Sequence, residues 1–207
     1  MSTQQAIGAV YSMFSSLLQP PERSIYDEIL AGRPAEIVSA APGRGGILEV
    51  PPAWTPGAFP QFEEWSALYK QAHAPAGPRL LPIESVHKAW TSDPSCEMPF
   101  AREKGLLLGD PAHHLYRLYR EIGFELPHGY ADSPDHLVLE LEFMGALVEE
   151  AEPQMQRTFL EQHLDWVPAL IEDAEHKQVP DLYLALLRWI ERFLELERAR
   201  VGAEPSE

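Results

Sequence analysis

Apolar residues in this chain recur at intervals of three and four, and no stretch alternates apolar with polar over a convincing length. A strand half-buried in a sheet needs period two, whereas a helix packed on a core needs a period near 3.6. The pattern therefore predicts an all-α protein. Ile7, Val10, Tyr11, Phe14, Leu17 and Leu18 form one stripe over 4–18, ended by Pro20-Pro21. Phe62, Trp65, Leu68 and Tyr69 form a second over 60–73, and Leu115, Leu118, Tyr119 and Ile122 a third over 110–122. Leu182, Leu186, Trp189, Ile190 and Phe193 face inward over 179–200. Shorter helices are expected at 22–31 and 83–92, and Pro168 should kink or split a helix spanning 153–176. The expectation is a bundle of roughly 8–11 helices.

Punctuation residues set the ends. Asp110 is placed as an N-cap with Pro111 at N1, and Gly123 as the C′ residue of that helix. The Pro/Gly-rich run "APGRGGILEVPPAWTPGAFP" (41–60) reads as a loop or insertion. The stretch 123–133, with Gly123, Pro127 and Gly129, is the expected hinge between two lobes. One domain over 1–200 and a frayed tail at 201–207 complete the outline, and a chain of 207 residues can bury a real core.

Charge narrows the partners. Asp plus Glu number 32 against 16 Lys plus Arg, a formal net charge of −16. Phosphate binding needs clustered basic side chains, so nucleic acid is disfavoured. A basic partner would be attracted instead, although excess acid also simply keeps a helical protein soluble. The longest apolar runs, such as "LYLALLRWI" (182–190), are far shorter than a membrane span, and the N-terminus lacks a basic leader region. Cys96 stands alone, which excludes an internal disulfide. A cytoplasmic location without stable membrane insertion is expected.

The stretch "ADSPDHLVLELEFMGALVEE" (131–150) reads as an amphipathic helix. Ser133 or Asp132 would cap it, Pro134 would occupy N1, and Leu137, Leu141, Met144 and Val148 would form its stripe. Phe143 and Leu147 widen that stripe, and His136 and Glu140 continue its flank. Asp135 in the first turn has an ordinary explanation, complementing the helix dipole, and His136 has another, a hydrogen bond to Glu140. A metal site is not expected. Bundle sites use repeated Glu-x-x-His pairs, whereas here Glu161 and His163 are one residue too close and His136 precedes Glu140. His113-His114 reads as solvent contact plus packing. No phosphate-cradling loop and no nucleophile elbow is present, so catalysis is not expected.

These same residues carry a resemblance. "SPDHLVLELEFMGALVEE" is similar to the signature of the TorD/DmsD/NarJ family of redox-enzyme maturation chaperones, a Pro-Asp-His triplet opening a helix that continues Leu-x-x-Glu-Leu-x-Phe-Met. Pro134, Asp135, His136, Leu137, Glu140, Leu141, Phe143 and Met144 match. "LPIESVHKAW" (81–90) resembles the Pro-x-Glu-Ser-Val block, with His87 where an aromatic is commoner. "LYRLYREIGFEL" and "FLEQHLDWVP" resemble two further elements of that family. The resemblance implies an all-helical chaperone for a molybdenum enzyme of the dimethyl-sulfoxide-reductase superfamily. Such a protein binds the twin-arginine leader or N-terminal region of the catalytic subunit, assists cofactor insertion and delays export.

The resemblance makes Pro134, Asp135, His136, Glu84, Ser85 and Trp90 the candidate peptide-binding residues, with Asp135 receiving an arginine guanidinium. Gly123, Gly129, Glu140, Phe143 and Trp166 are assigned to the hinge or the structure. No cofactor is expected, since nothing in the residues supports a guanine-nucleotide or molybdopterin contact. Both a monomer and a helix-swapped dimer fit the hinge. The competing readings are a permanent helical assembly subunit of a redox complex and, further off, a nucleotide hydrolase.

Overall fold

The computed structural model describes residues 1–41, 48–75, 77–127 and 129–202. Among them are ten α-helices: α1 (Thr3–Leu18), α2 (Arg23–Leu30), α3 (Arg33–Ala40), α4 (Phe62–His73), α5 (Glu84–His87), α6 (Asp110–Ile122), α7 (Leu137–Glu150), α8 (Pro153–His163), α9 (Val167–His176) and α10 (Asp181–Gly202). A 3-10 turn spans Pro52–Trp54. The all-α expectation holds: no strand occurs among the described residues, only one isolated antiparallel bridge between Ile83 and His136.

Local chemistry sets several ends. Ser2 and Gln5 make a reciprocal capping box at the start of α1, with Ser2 Oγ accepting from Gln5 N at 3.1 Å and Gln5 Oε1 from Ser2 N at 2.8 Å. Gly32 takes the left-handed conformation (φ 82°) that lets α2 turn directly into α3, a helix the apolar pattern alone did not mark. Gly123 ends α6 in the same conformation (φ 73°), as its position predicts.

α7 is the central element rather than an amphipathic surface helix. Residues Leu137–Leu141, Phe143–Gly145, Leu147 and Val148 are all buried, leaving Ala146, Glu149 and Glu150 exposed. α1 crosses it closely, because a Cβ on Gly145 would lie 3.3 Å from the Tyr11 Cβ. α10 covers the other face of α1, where Tyr11 meets Phe193 at 4.7 Å and Phe14 meets Trp189 at 4.9 Å, both edge to face. The 123–133 stretch joins two sets of helices in sequence, and one continuous apolar cluster joins them in space.

Other boundaries differ from the sequence expectation. α7 begins at Leu137, not in 133–135, because the preceding residues pair with another segment. The 153–176 stretch splits into α8 and α9, with Pro168 in the first turn of α9 and Arg198 Nη2 donating to the freed Leu164 carbonyl at 2.7 Å. The helix over 83–92 shrinks to the four residues of α5. Gly109, not Asp110, is the N-cap of α6. Part of the 41–60 run is built into the core: Trp54 and Phe59 are buried, and Trp54 Nε1 donates to the Leu182 carbonyl at 3.1 Å. Residues 42–47 of that run lie outside the described residues. Val201 and Gly202 of the expected frayed tail continue α10, with the Val201 carbonyl held by Arg157 at 2.6 Å, and 203–207 lie outside the described residues.

Candidate functional site

Two motif segments far apart in sequence are stitched together by backbone. Glu84 N donates to the Asp135 carbonyl and Leu137 N to the Pro82 carbonyl, each at 2.9 Å, forming the Ile83–His136 bridge. The Asp135 side chain completes the join. Its Oδ2 accepts from Ser85 N at 2.8 Å and from Ser85 Oγ at 2.5 Å, and Ser85 Oγ accepts in turn from Gly109 N at 3.1 Å. Gly109 is required there by space, since a Cβ would fall 2.6 Å from the Trp90 carbonyl oxygen. Asp110, freed from capping, accepts from Thr91 Oγ1 at 2.5 Å and Ser92 N at 3.2 Å.

Asp135 is consequently sealed inside, with no exposed surface, and Pro134 is buried beside it. The expected helix-dipole role does not apply, because Asp135 precedes α7 and its carboxylate caps α5. Burial raises its pKa while the Ser85 bonds oppose the rise. Its Oδ1 has no partner, and no guanidinium from outside reaches it in this conformation.

His136 is itself the N-cap of α7, its Nδ1 accepting from Val138 N at 3.2 Å, and its ring makes no bond to the Glu140 side chain, Glu140 N donating instead to the His136 carbonyl at 3.1 Å. Burial, with a smaller contribution from His73, lowers its pKa to about 4, so the ring stays neutral and able to accept. Tyr130 packs edge-on at 5.0 Å.

Glu140 lies deeper, its Oε2 accepting from Trp166 Nε1 at 3.0 Å. Burial first, then the neighbouring Glu84 and Asp135 carboxylates, push its pKa well above the usual carboxylate range. Tyr119 OH is buried without a partner close to these acids. Phe143 packs on Tyr119 at 5.1 Å and on Phe159 at 5.0 Å. Trp166 is buried too, and Gly123 and Gly129 both have a positive φ (73° and 101°).

Glu84 connects this interior to the surface. Its Oε2 meets His163 Nδ1 at 2.9 Å, and His163 Nε2 meets His114 Nδ1 at 2.7 Å. Its Oε1 pairs with Lys88 Nζ at 2.7 Å. Lys88 Nζ also contacts Asp165 Oδ1 at 2.5 Å and the Gln162 carbonyl at 2.7 Å.

Glu84, Lys88, His114, Gln162 and His163, with Asp110 and Ala89, line a cavity of about 470 Å³ between α5, α6 and α8, and Asp165 reaches it only through Lys88. A second cavity of about 270 Å³ shares His114, Gln162 and His163 with it and is otherwise mainly apolar: Leu118, Ile122, Phe143, Leu147, Met155 and Phe159. Ile122 and Met155 are 53% and 52% exposed, unusual for large apolar side chains. The two cavities form one groove with a polar end and an apolar end. A separate cleft of about 380 Å³ between α1, α2 and α3 contains none of the motif residues.

Of the candidate residues, the structure brings Glu84, Ser85, Pro134, Asp135 and His136 together, and only Glu84 lines the groove. Trp90 is not on its wall: the ring packs on Phe100 at 5.0 Å and is partly exposed. The sequence reading assigns no contact to Lys88, His114, His163 or Asp165. The spacing of Glu84 and Lys88 was the available signal, being that of a helical ion pair. Nothing local links His114 to His163 across 49 residues.

Comparison with known proteins agrees with the motifs. A family model described as the nitrate reductase delta subunit matches residues 60–172, more than half of the chain. The chain is 29% identical over 122 residues to the chaperone protein TorD of Vibrio cholerae, covering 52% of this chain and 56% of that one. It is 26% identical over 114 residues to the chaperone protein TorD of Vibrio parahaemolyticus, covering 49% and 53%. For the chaperone protein TorD of Photobacterium profundum the figures are 28% over 112 residues, 48% and 52%. The chain thus spans about half the length of the curated relatives it matches. No solved structure matches it. Four motifs in order, an all-helical fold that joins them, and a family match across the joined segments lead to one conclusion: this chain belongs to the nitrate reductase delta subunit family, the TorD/NarJ group.

Proposed function

We propose that the chain is a non-enzymatic, cytoplasmic maturation chaperone. It binds the twin-arginine leader, or the N-terminal region, of an apo molybdoenzyme catalytic subunit of the dimethyl-sulfoxide-reductase superfamily. By holding that segment it assists cofactor insertion and delays export until the client has folded. The relatives named chaperone protein TorD support the chaperone reading.

One observation carries the rest: the groove whose acidic end, at Glu84 and Asp110 with Asp165 beside it on Lys88, runs into an apolar end floored by Phe143 and Phe159. A leader of this kind joins a cationic end to an apolar stretch, and the groove offers the complementary order. Charge steers such a segment in, and apolar burial holds it. The net charge of −16 adds long-range attraction. In this reading the acidic contacts come from Glu84 and Asp165 instead of Asp135, whose role is to brace the segment that presents Glu84.

The test is calorimetric titration with the N-terminal peptides of the molybdenum oxidoreductase catalytic subunits of the same organism. Binding that weakens with rising salt, and weakens again in Ile122→Asp and Met155→Asp, is the expected result. No binding of any of those N-terminal peptides, with cofactor content undiminished when the chaperone is deleted, would overturn the proposal. The word subunit in the family description favours a second reading, a permanent helical assembly subunit. Retention of the chain in the purified mature enzyme would decide for it.

A further inference from the structure

We propose that Lys88 is a built-in occupant of the groove's acidic end, and that a partner's arginine binds there by displacing it. The inference rests on the peptide-binding reading above and specifies how that site selects its ligand. Glu84 lies at the floor with no exposure, and Asp165 at the rim with its side chain 48% exposed. The Lys88 ammonium spans them at 2.7 Å and 2.5 Å and donates to the Gln162 carbonyl at 2.7 Å. The ammonium thus donates one hydrogen bond and touches a carboxylate on either side, so the groove's acidic end seats its own cation.

The seat is needed and the contact is reversible. His163 takes one Glu84 oxygen, and Lys88 is the charge partner of the other. A buried carboxylate stripped of its partner is strongly destabilised, so Lys88 leaves only when another cation arrives. Its side chain keeps 24% exposure and follows the last residue of the four-residue α5. Rotation about its own side-chain bonds carries the ammonium into water without moving the fold.

Exchange of this kind discriminates. A guanidinium meets carboxylates as a planar fork with paired hydrogen bonds and gives up hydration more readily than an ammonium does. Arginine thus outcompetes Lys88 for the Glu84–Asp165 seat. A lysine in the partner offers nothing that Lys88 does not already supply, and a neutral residue cannot dislodge it. The apolar chain following the arginine then lies along Ile122, Met155 and Phe159.

The experiment titrates the full chain with three synthetic peptides sharing one apolar run and differing in two adjacent residues: arginines, lysines or glutamines. The unaltered protein should bind the arginine peptide about tenfold tighter than the lysine peptide. Lys88→Met, which keeps the apolar stem and removes the charge, should tighten both cationic peptides by about tenfold and narrow the gap between them. Free Lys88→Met should melt below the unaltered protein, and the arginine peptide should restore most of the loss. Lys88→Arg, which retains the ion pair and fills the seat with the better fork, should bind the arginine peptide more weakly than the unaltered protein. Arginine-peptide affinity unchanged or reduced in Lys88→Met, or unchanged or increased in Lys88→Arg, would overturn the exchange while leaving peptide binding intact. Failure of the unaltered protein and both variants to bind any peptide would overturn both.

Discussion

Replacing Asp135 with alanine tests whether this residue is a brace or a ligand contact. Its Oδ2 accepts two short hydrogen bonds, from Ser85 N at 2.8 Å and Ser85 Oγ at 2.5 Å. Bonds to an ionised acceptor contribute about 1.5–3 kcal/mol each, so the gross loss is about 3–6 kcal/mol. Part of that is offset, because alanine also relieves a buried carboxylate whose Oδ1 has no partner, a cost of about 1–3 kcal/mol. The net expectation is a fall of about 3 kcal/mol in unfolding free energy. Asp135→Asn keeps one acceptor and should cost about 1 kcal/mol. Urea unfolding followed by far-UV circular dichroism measures both, with the denaturant slope unchanged. Ser85→Ala in the same background should show coupling of about 2 kcal/mol, since the two residues share one network. Asp135→Ala within about 0.5 kcal/mol of the unaltered protein, combined with a collapse in arginine-peptide affinity, would refute the brace and restore Asp135 as a direct contact.

Three further outcomes follow from the same geometry. Because burial holds the His136 pKa near 4 against an ordinary 6.5, the unfolded chain binds its proton first; stability is full above pH 6.5 and falls by up to about 3 kcal/mol as pH drops to 4. His136→Asn, which preserves a side-chain cap, should remove that part of the pH dependence in paired urea titrations. Glu140 has the opposite sign: its raised pKa keeps the proton on the folded state, so its contribution is present below the unfolded value and lost as pH rises. Glu140→Gln should therefore gain on the unaltered protein as pH rises above the usual carboxylate range, and a difference that stays constant with pH would refute the raised pKa. Gly109→Ala should lower the melting temperature by several degrees, about 2 kcal/mol, because its Cβ meets the Trp90 carbonyl at 2.6 Å although its φ of −74° suits any residue.

Helical class, the positions of most helices and the break near Pro168 were legible because they depend on periodicity and on proline and glycine geometry, which act within a few residues. The motifs were legible for another reason: they resemble a family, and the family match runs through them. The misplaced start of α7 has a physical cause. Ser133-Pro134-Asp135 has the composition of a helix N-terminus, yet Asp135 and His136 are engaged by 82–85, whose backbone and Ser85 hydroxyl bind them more completely than a cap would. A pattern read along one segment contains no term for a partner 50 residues away.

The candidate site divides the same way. Sequence alone singled out Glu84, Ser85, Asp135 and His136 through the motifs that hold them, and a net charge that would attract a cationic partner. Only the tertiary structure decided which of these carboxylates borders the groove. Asp135 and Glu140 are sealed in by α5 and Trp166, whereas Glu84 faces the groove beside Lys88, His163 and Asp165. Residue type sets what a group can bind, but reach is set by packing, and packing is decided by helices that are neighbours in space and strangers in sequence.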